Sequence, residues 1–248
     1  MRGPVEVAGG VYALGSHFVN WYLVEDRGRL AAIDAGLPAF GDSLEADLRA
    51  IGRTAGDVEA VVLTHSDSDH TGVAAKLRDA GARVLIHSAD EKTLRKPGPK
   101  KGDAAPARAL PQVVWRPHFW KVMAHMTRGG GAKPPKIEDP ETFVDGDVLD
   151  VPGLPRAVHT PGHTDGQSVL LFENSGVLFL GDALCTVSIL TGRPGPQLMP
   201  RPTNVSTTQA RDSLDAIEAL DADLLLPGHG EPWHGTPAVA VARARAAA

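Results

Sequence analysis

Val61-Val62-Leu63-Thr64-His65-Ser66-Asp67-Ser68-Asp69-His70-Thr71-Gly72 is the stretch on which the fold turns. An apolar run of strand type stops at Thr64, and four groups able to bind a metal follow within six residues: His65, Asp67, Asp69 and His70. Gly72 then opens a helical pattern with Val73, Ala74 and Leu77 on one side. Histidine and aspartate at such short intervals converge on a point when they lie on a tight strand-to-helix loop, whereas along a helix or strand they fan out. Imidazole nitrogen and carboxylate oxygen suit zinc, manganese and iron. The bland alternative is a polar loop rich in His and Asp by accident.

Working outward, the flanks alternate strand and helix. Before the stretch, Val5–Val7, Val11–Leu14, Trp21–Glu25 and Leu30–Asp34 read as short strands separated by glycine-bearing turns. Asp42 with Glu45 signals a helix cap ahead of Leu44, Leu48 and Ile51. After it, Val84–Ile86 is a strand, and the whole is an α/β pattern. Further on, strands are expected at 143–149, 156–160, 168–172, 177–180 and 223–226. Ser206 with Gln209 caps a helix through Leu214, Ile217 and Leu220, residues 186–205 read as a Pro-rich loop, and the C-terminal Ala/Arg stretch as a short helix.

Residues 95–136 differ in kind. Seven prolines, the Gly129-Gly130-Gly131 triplet and ten bases against one acid, Asp103, give this segment a charge of +9, in a chain whose net charge is -5. Trp115, Phe119, Val122, Met123 and Met126 fall at helical spacing around Pro117. The expectation is one domain over 1–248 carrying an inserted segment with one amphipathic helix, of the kind that often forms a lid. A solvated basic loop is the plain reading of its charge; a cationic lid that draws in a carboxylate- or phosphate-bearing substrate is the functional one. The apolar stripe either buries, covers a pocket or forms a dimer contact, and oligomeric state stays open.

At 248 residues and 42% hydrophobic the chain can bury a good core. Its net negative charge argues against a general nucleic-acid binder. Cys185 is the single cysteine, which fits a reducing compartment. Neither the N-terminal residues nor any other run has the apolar length of a signal peptide or membrane span, so a cytoplasmic protein without a membrane partner is expected.

Three further polar points share the grammar of the opening stretch, each where a strand gives way to a turn: Pro161-Gly162-His163, Gly181-Asp182 and Gly228-His229. In this order, with Ile33-Asp34-Ala35-Gly36 near the start, the chain resembles the metallo-β-lactamase fold superfamily over nearly its whole length. That resemblance implies an αβ/βα four-layer sandwich with a binuclear site at one edge, filled by two divalent metal ions, zinc foremost. By position, His65, Asp67 and His163 would hold one ion, Asp69, His70 and His229 the other, and Asp182 would bridge them. Asp67 departs from the family, which has histidine there; a third carboxylate weakens the Lewis acidity and tilts the site toward manganese or iron.

The resemblance implies a metal-dependent hydrolase in which a hydroxide shared by two ions attacks a small ester, lactone, thioester or phosphodiester. Asp69 and Asp182 are the candidate catalytic residues. Asp34 either steadies the ligand loops or serves only its turn. Two rivals stand beside the hydrolase: a diiron oxidoreductase like the superfamily's flavodiiron branch, which has an acid at the position of Asp67, and a non-catalytic metal-binding relative. Among other histidines, His87 and His159 read as structural, and His118 and His125 could reach a substrate. Cys185 reads as a buried small residue.

Overall fold

The computed structural model describes residues 2–98, 100, 102–103 and 114–247. Parts of the basic insertion at 95–136, namely 99, 101 and 104–113, lie outside the described residues. A seven-stranded sheet runs in chain order through β1 (Arg2–Ala8), β2 (Val11–Gly15), β3 (Asn20–Asp26), β4 (Arg29–Ile33), β5 (Val58–Val62), β6 (Arg83–His87) and β7 (Glu141–Phe143). Its first four strands form an antiparallel meander, and β4 to β7 are parallel. The chain continues through β8 (Arg156–His159), β9 (Ser168–Phe172), β10 (Val177–Gly181), β11 (Cys185–Val187), β12 (Pro194–Gln197), β13 (Leu224–Pro227) and β14 (Trp233–His234). The second sheet has the order β14-β13-β10-β9-β8, with β10 and β13 parallel, while β11 and β12 form a hairpin of their own.

Helices α1 (Leu44–Ala50), α2 (Ala74–Asp79) and α3 (Glu91–Arg95) follow strands of the first sheet; α4 (Pro117–Arg128) lies in the insertion; α5 (Thr207–Asp212), α6 (Leu214–Glu218) and α7 (Pro237–Ala247) belong with the second. Period-two alternation sorts the strand residues into three apolar layers. Trp21, Leu23, Val61 and Leu63 face Leu44, Leu48, Leu77 and Leu94 of the first helical layer. Tyr22, Val24, Ala60 and Val62 meet Leu170, Phe172, Phe179 and Leu226 between the sheets. Val169, Leu171, Leu178 and Leu225 face Leu214, Ile217, Val241 and Ala244. Three layers of contact separate four layers of structure, the αβ/βα sandwich expected. Because both faces of β5, β9, β10 and β13 are covered, these strands read as continuous apolar runs.

Several local expectations are corrected. Asp42 ends a 3-10 turn, Pro38–Asp42, and the residue before α1 is Ser43, whose Oγ hydrogen-bonds the Asp47 carboxylate instead of a backbone amide. The strand expected at 143–149 is only Glu141–Phe143, followed by a lone bridge between Val148 and Arg156. The loop at 186–205 contains β11 and β12, and β14 follows β13. The capped helix after Ser206 forms, Ser206 Oγ accepting from Gln209 N at 3.2 Å, but breaks at Ser213 into α5 and α6. The apolar stripe of the insertion does not simply bury: α4 buries Val122, while Trp115 is 66% and Met123 43% exposed. Among the described residues no helix is long and apolar enough to cross a membrane.

Candidate metal centre

The C-terminal ends of parallel strands deliver polar loops to one edge of the sandwich. Leaving β5, the chain turns through His65–His70; His163 follows β8, Asp182 follows β10 and His229 follows β13. All seven predicted residues meet there. Their donor atoms form three overlapping triads, His65–Asp67–His163, His65–His70–Asp182 and Asp69–His70–His229, with all ligand atoms of a triad within 4.8 Å of one another. Asp182 is central: its Oδ2 lies 3.3 Å from His163 Nε2, 3.2 Å from His229 Nε2 and 4.0 Å from His65 Nε2, and its Oδ1 3.4 Å from His70 Nε2. Asp69 Oδ2 is 3.5 Å from His229 Nε2 and 3.9 Å from His70 Nε2.

Every imidazole is fixed through Nδ1 so that Nε2 points inward. His65 Nδ1 bonds Thr64 Oγ1 at 3.0 Å, and His70 Nδ1 bonds Asp34 Oδ2 at 2.8 Å. His163 Nδ1 bonds Asn204 Oδ1 at 3.0 Å, and His229 Nδ1 bonds the Phe18 carbonyl at 2.6 Å. A ring whose Nδ1–H donates keeps its Nε2 lone pair for a cation. Asp34 does both things asked of it: it holds a turn at φ 58°, and its carboxylate accepts Thr64 N, Thr64 Oγ1 and His70 Nδ1.

The residues fit metal ions. His65 Nε2, His70 Nε2 and Asp182 Oδ1 are buried with no hydrogen-bond partner among the described residues. Buried polar atoms without partners are costly, and ones that converge call for a cation. The protein's own charges show the same demand. Burial opposes the Asp182 carboxylate, yet His229, His70 and His163 hold it well below the usual carboxylate range. Burial likewise opposes a charged His229, but Asp182 and Asp69 push it up to about 9. Asp67, though burial works against it, is held well below the usual carboxylate range, foremost by Lys100. His163 moves down, through burial and the nearby Lys100.

Sequence reasoning missed four contributors. Asp90 ties two ligand loops together, accepting Ser66 N at 2.9 Å, Thr164 Oγ1 at 2.8 Å and Gly166 N at 2.8 Å. Asn204 and Phe18 brace His163 and His229, and neither carries a motif. Lys100 reaches the site from the basic insertion and lies 2.5 Å from Asp67 Oδ2. Its neighbourhood in sequence, one base among ten, hides it.

The remaining candidates stay outside the triads. His87 and His159 stack on each other at 4.0 Å. Cys185 is buried with Sγ against the Gln197 carbonyl, and burial pushes its thiol up. His125 bonds Ser16 Oγ at 3.0 Å and lines, with Phe18, Pro117, Trp120, Lys121, Ala124 and Arg128, an open groove of about 500 Å³. Phe18 joins groove and centre, since its carbonyl holds His229.

Comparison with known proteins agrees with this geometry. The sequence pattern of the metallo-β-lactamase superfamily matches residues 14–229. The uncharacterized protein YobT of Bacillus subtilis is 28% identical over 167 residues, 66% of this chain, and the match spans 61% of YobT's length. The probable metallo-hydrolase YflN of the same organism is 25% identical, over 93% of this chain and 87% of its own. The crystal structure of a metallo-β-lactamase family protein from Thermus thermophilus superposes with a TM-score of 0.67 at 26% identity, covering 97% of this chain and 81% of that one. A four-layer fold, a cluster of His and Asp at its edge and a family match over most of the sequence lead to one conclusion: this chain belongs to the metallo-β-lactamase superfamily.

Proposed function

We propose that the chain is one catalytic unit that cleaves a small ester, lactone, thioester or phosphodiester with two divalent ions, zinc foremost and manganese or iron favoured next by Asp67. The observation that carries this reading is the convergence of buried His65 Nε2, His70 Nε2 and Asp182 Oδ1, all without hydrogen-bond partners among the described residues, within a set of seven donors. His65, Asp67 and His163 would hold one ion, Asp69, His70 and His229 the other, with Asp182 between them. Bound there, such ions supply Lewis acidity toward a substrate oxygen and an activated water near neutral pH. The chain's own residues do the rest. The Nδ1 contacts of the four histidines keep the donors aimed inward without reorganisation. Asp69, whose Oδ2 lies beside His229 and His70, would orient the attacking water and take its proton.

Lys121 and Arg128 on one face of α4 give the adjoining groove a cationic wall, and Phe18 and Trp120 an apolar one. That supports a small substrate with an anionic group beside an apolar portion. A reducing, cytoplasmic setting completes the reading, supported by a single cysteine that is buried.

The test is a panel of the four substrate classes assayed with protein whose metal content has been measured. Metal-dependent turnover of one class is expected, lost on chelation and reduced at least about 100-fold by Asp182→Ala. Protein that hydrolyses no class at any metal loading would sink the reading.

A further inference from the structure

Lys100 occupies a cradle rather than a surface. Its Nζ lies 2.5 Å from Asp67 Oδ2, 2.9 Å from His163 Nε2, 3.0 Å from the Thr203 carbonyl and 3.3 Å from the His163 carbonyl. An ammonium has three donors, so a carboxylate, an imidazole lone pair and a shared pair of carbonyls satisfy it completely. Only 21% of its side chain remains exposed.

The position of that nitrogen is the telling part. His163 Nε2 and Asp67 Oδ2 are 3.0 Å apart. Because His163 Nδ1–H already donates to Asn204, Nε2 of the neutral ring presents a lone pair, and the carboxylate oxygen presents another. Two acceptors at that separation repel unless a cation joins them. Lys100 is that cation, and it uses the same two atoms that one half of the metal centre would use. His65 Nε2, the third donor of that half, has no hydrogen-bond partner among the described residues. The other triad, Asp69–His70–His229, has no lysine or arginine bonded to it among the described residues. Charge tells the same story: one ammonium and one divalent ion balance the three carboxylates Asp67, Asp69 and Asp182.

We propose that Lys100 is a tethered competitor for the His65–Asp67–His163 half of the centre, so that the two halves fill in sequence. The Asp69–His70–His229 half takes the first ion tightly. The second ion enters only as Lys100 leaves Asp67 and His163. The inference rests on the metal reading above and adds an internal cation that sets the second affinity. In this light Asp67 is matched to its neighbour: a histidine there could not hold an ammonium by charge, whereas a carboxylate holds either an ammonium or a metal.

The test is a zinc titration of metal-free protein against a chromophoric chelator, for wild type, Lys100→Ala and Lys100→Arg. Wild type should bind one zinc tightly and a second more weakly. Lys100→Ala should tighten the second site about 10- to 100-fold, the span of one charge-assisted hydrogen bond, and leave the first unchanged. Lys100→Arg should keep the second site weak. A second measurement needs no variant. Acetylation of Lys100, read by mass spectrometry, should stay low at one equivalent of zinc and rise at two. Two tight sites in wild type that Lys100→Ala does not alter, or two bound zincs with Lys100 still protected, would overturn this inference and leave the metal reading intact. Protein that binds no zinc in any form would overturn both.

Discussion

Asp34 shows how one residue can set the geometry of a candidate metal centre without being one of its donors. Its backbone sits at φ 58°, where aspartate and asparagine are tolerated better than most residues. Its carboxylate gathers the Thr64 amide, the Thr64 hydroxyl and His70 Nδ1, each within 2.9 Å. Asp34→Asn keeps the turn but replaces an ionised acceptor with an amide that cannot serve all three donors. The expected result is a 10- to 100-fold loss of zinc affinity, roughly what an outer-sphere partner contributes, with the fold retained; chelator competition and circular dichroism together read both. Unchanged affinity would reduce Asp34 to its turn. His87 makes a separate prediction, about pH. Burial and the stacked His159 hold its pKa below the ordinary value, against the pull of Asp90, Asp145 and Asp147, and its neutral Nδ1 accepts Ala89 N at 3.2 Å. A histidine depressed in the folded state contributes stability that is complete above its unfolded value of about 6.5 and is lost as pH falls through the folded one. Urea unfolding of metal-free protein should therefore weaken with acidification below about pH 6.5, and less steeply in His87→Gln. Equal slopes would show that His87 is not titrating in that window.

At the scale of elements, backbone hydrogen bonds add to the Asp34 carboxylate in sewing the ligand loop to the turn after β4. Ala35 N bonds the His70 carbonyl at 2.7 Å, Gly72 N the Gly36 carbonyl at 2.7 Å, and Val73 N the Ala35 carbonyl at 2.9 Å. The approach is so close that a Cβ on Gly72 would stand 2.1 Å from the Leu37 carbonyl carbon and 2.3 Å from Pro38 N. Backbone cannot swing aside as a side chain does. Gly72→Ala should cost about 1–3 kcal/mol, the range of an overpacked interior, and loosen zinc binding at the same time, because His70 moves with the loop. Denaturant melts of metal-free protein check the first effect and zinc titration the second; a fully stable variant would refute the close packing. This loop was legible in sequence because strand, donors and glycine are contiguous, and β5, β9, β10 and β13 were legible because burial on both faces leaves unbroken apolar runs. What escaped notice depends on partners distant in the chain. Strand β12 is Pro-Gly-Pro-Gln, a composition without strand propensity, held by pairing to β11 and by packing against α7. Asp42 looked like a cap until the 3-10 turn moved the helix start past it. Lys100, Asn204 and Asp90 act across 33, 41 and 24 residues respectively on Asp67, His163 and Ser66, and no local pattern encodes such reach.

Across the whole molecule, the centre lies on the seam between the two sheets. His65 to His70 extend from the seven-stranded sheet, and His163, Asp182 and His229 from the five-stranded one. Direct hydrogen bonds already cross that seam: Ser168 N to the Thr64 carbonyl at 2.9 Å, Tyr22 OH to the Pro227 carbonyl at 2.7 Å, and Asn20 Nδ2 to the Gly230 carbonyl at 2.6 Å. An ion held by donors from both sides therefore clamps the halves of the sandwich, and it binds a geometry that the unfolded chain does not keep. Free zinc at a hundredfold its dissociation constant should add about 2.7 kcal/mol to the folded state. For a chain of this size that raises Tm by roughly 5–10 °C, and a chelator should reverse the gain. Lys100→Ala, lacking its internal cation, should begin from a lower Tm in the metal-free form and gain more than wild type from saturating zinc, since both halves then fill. Differential scanning calorimetry across zinc concentrations would show it. A Tm indifferent to zinc would mean that the clustered donors do not bridge the sheets through an ion, whatever their spacing.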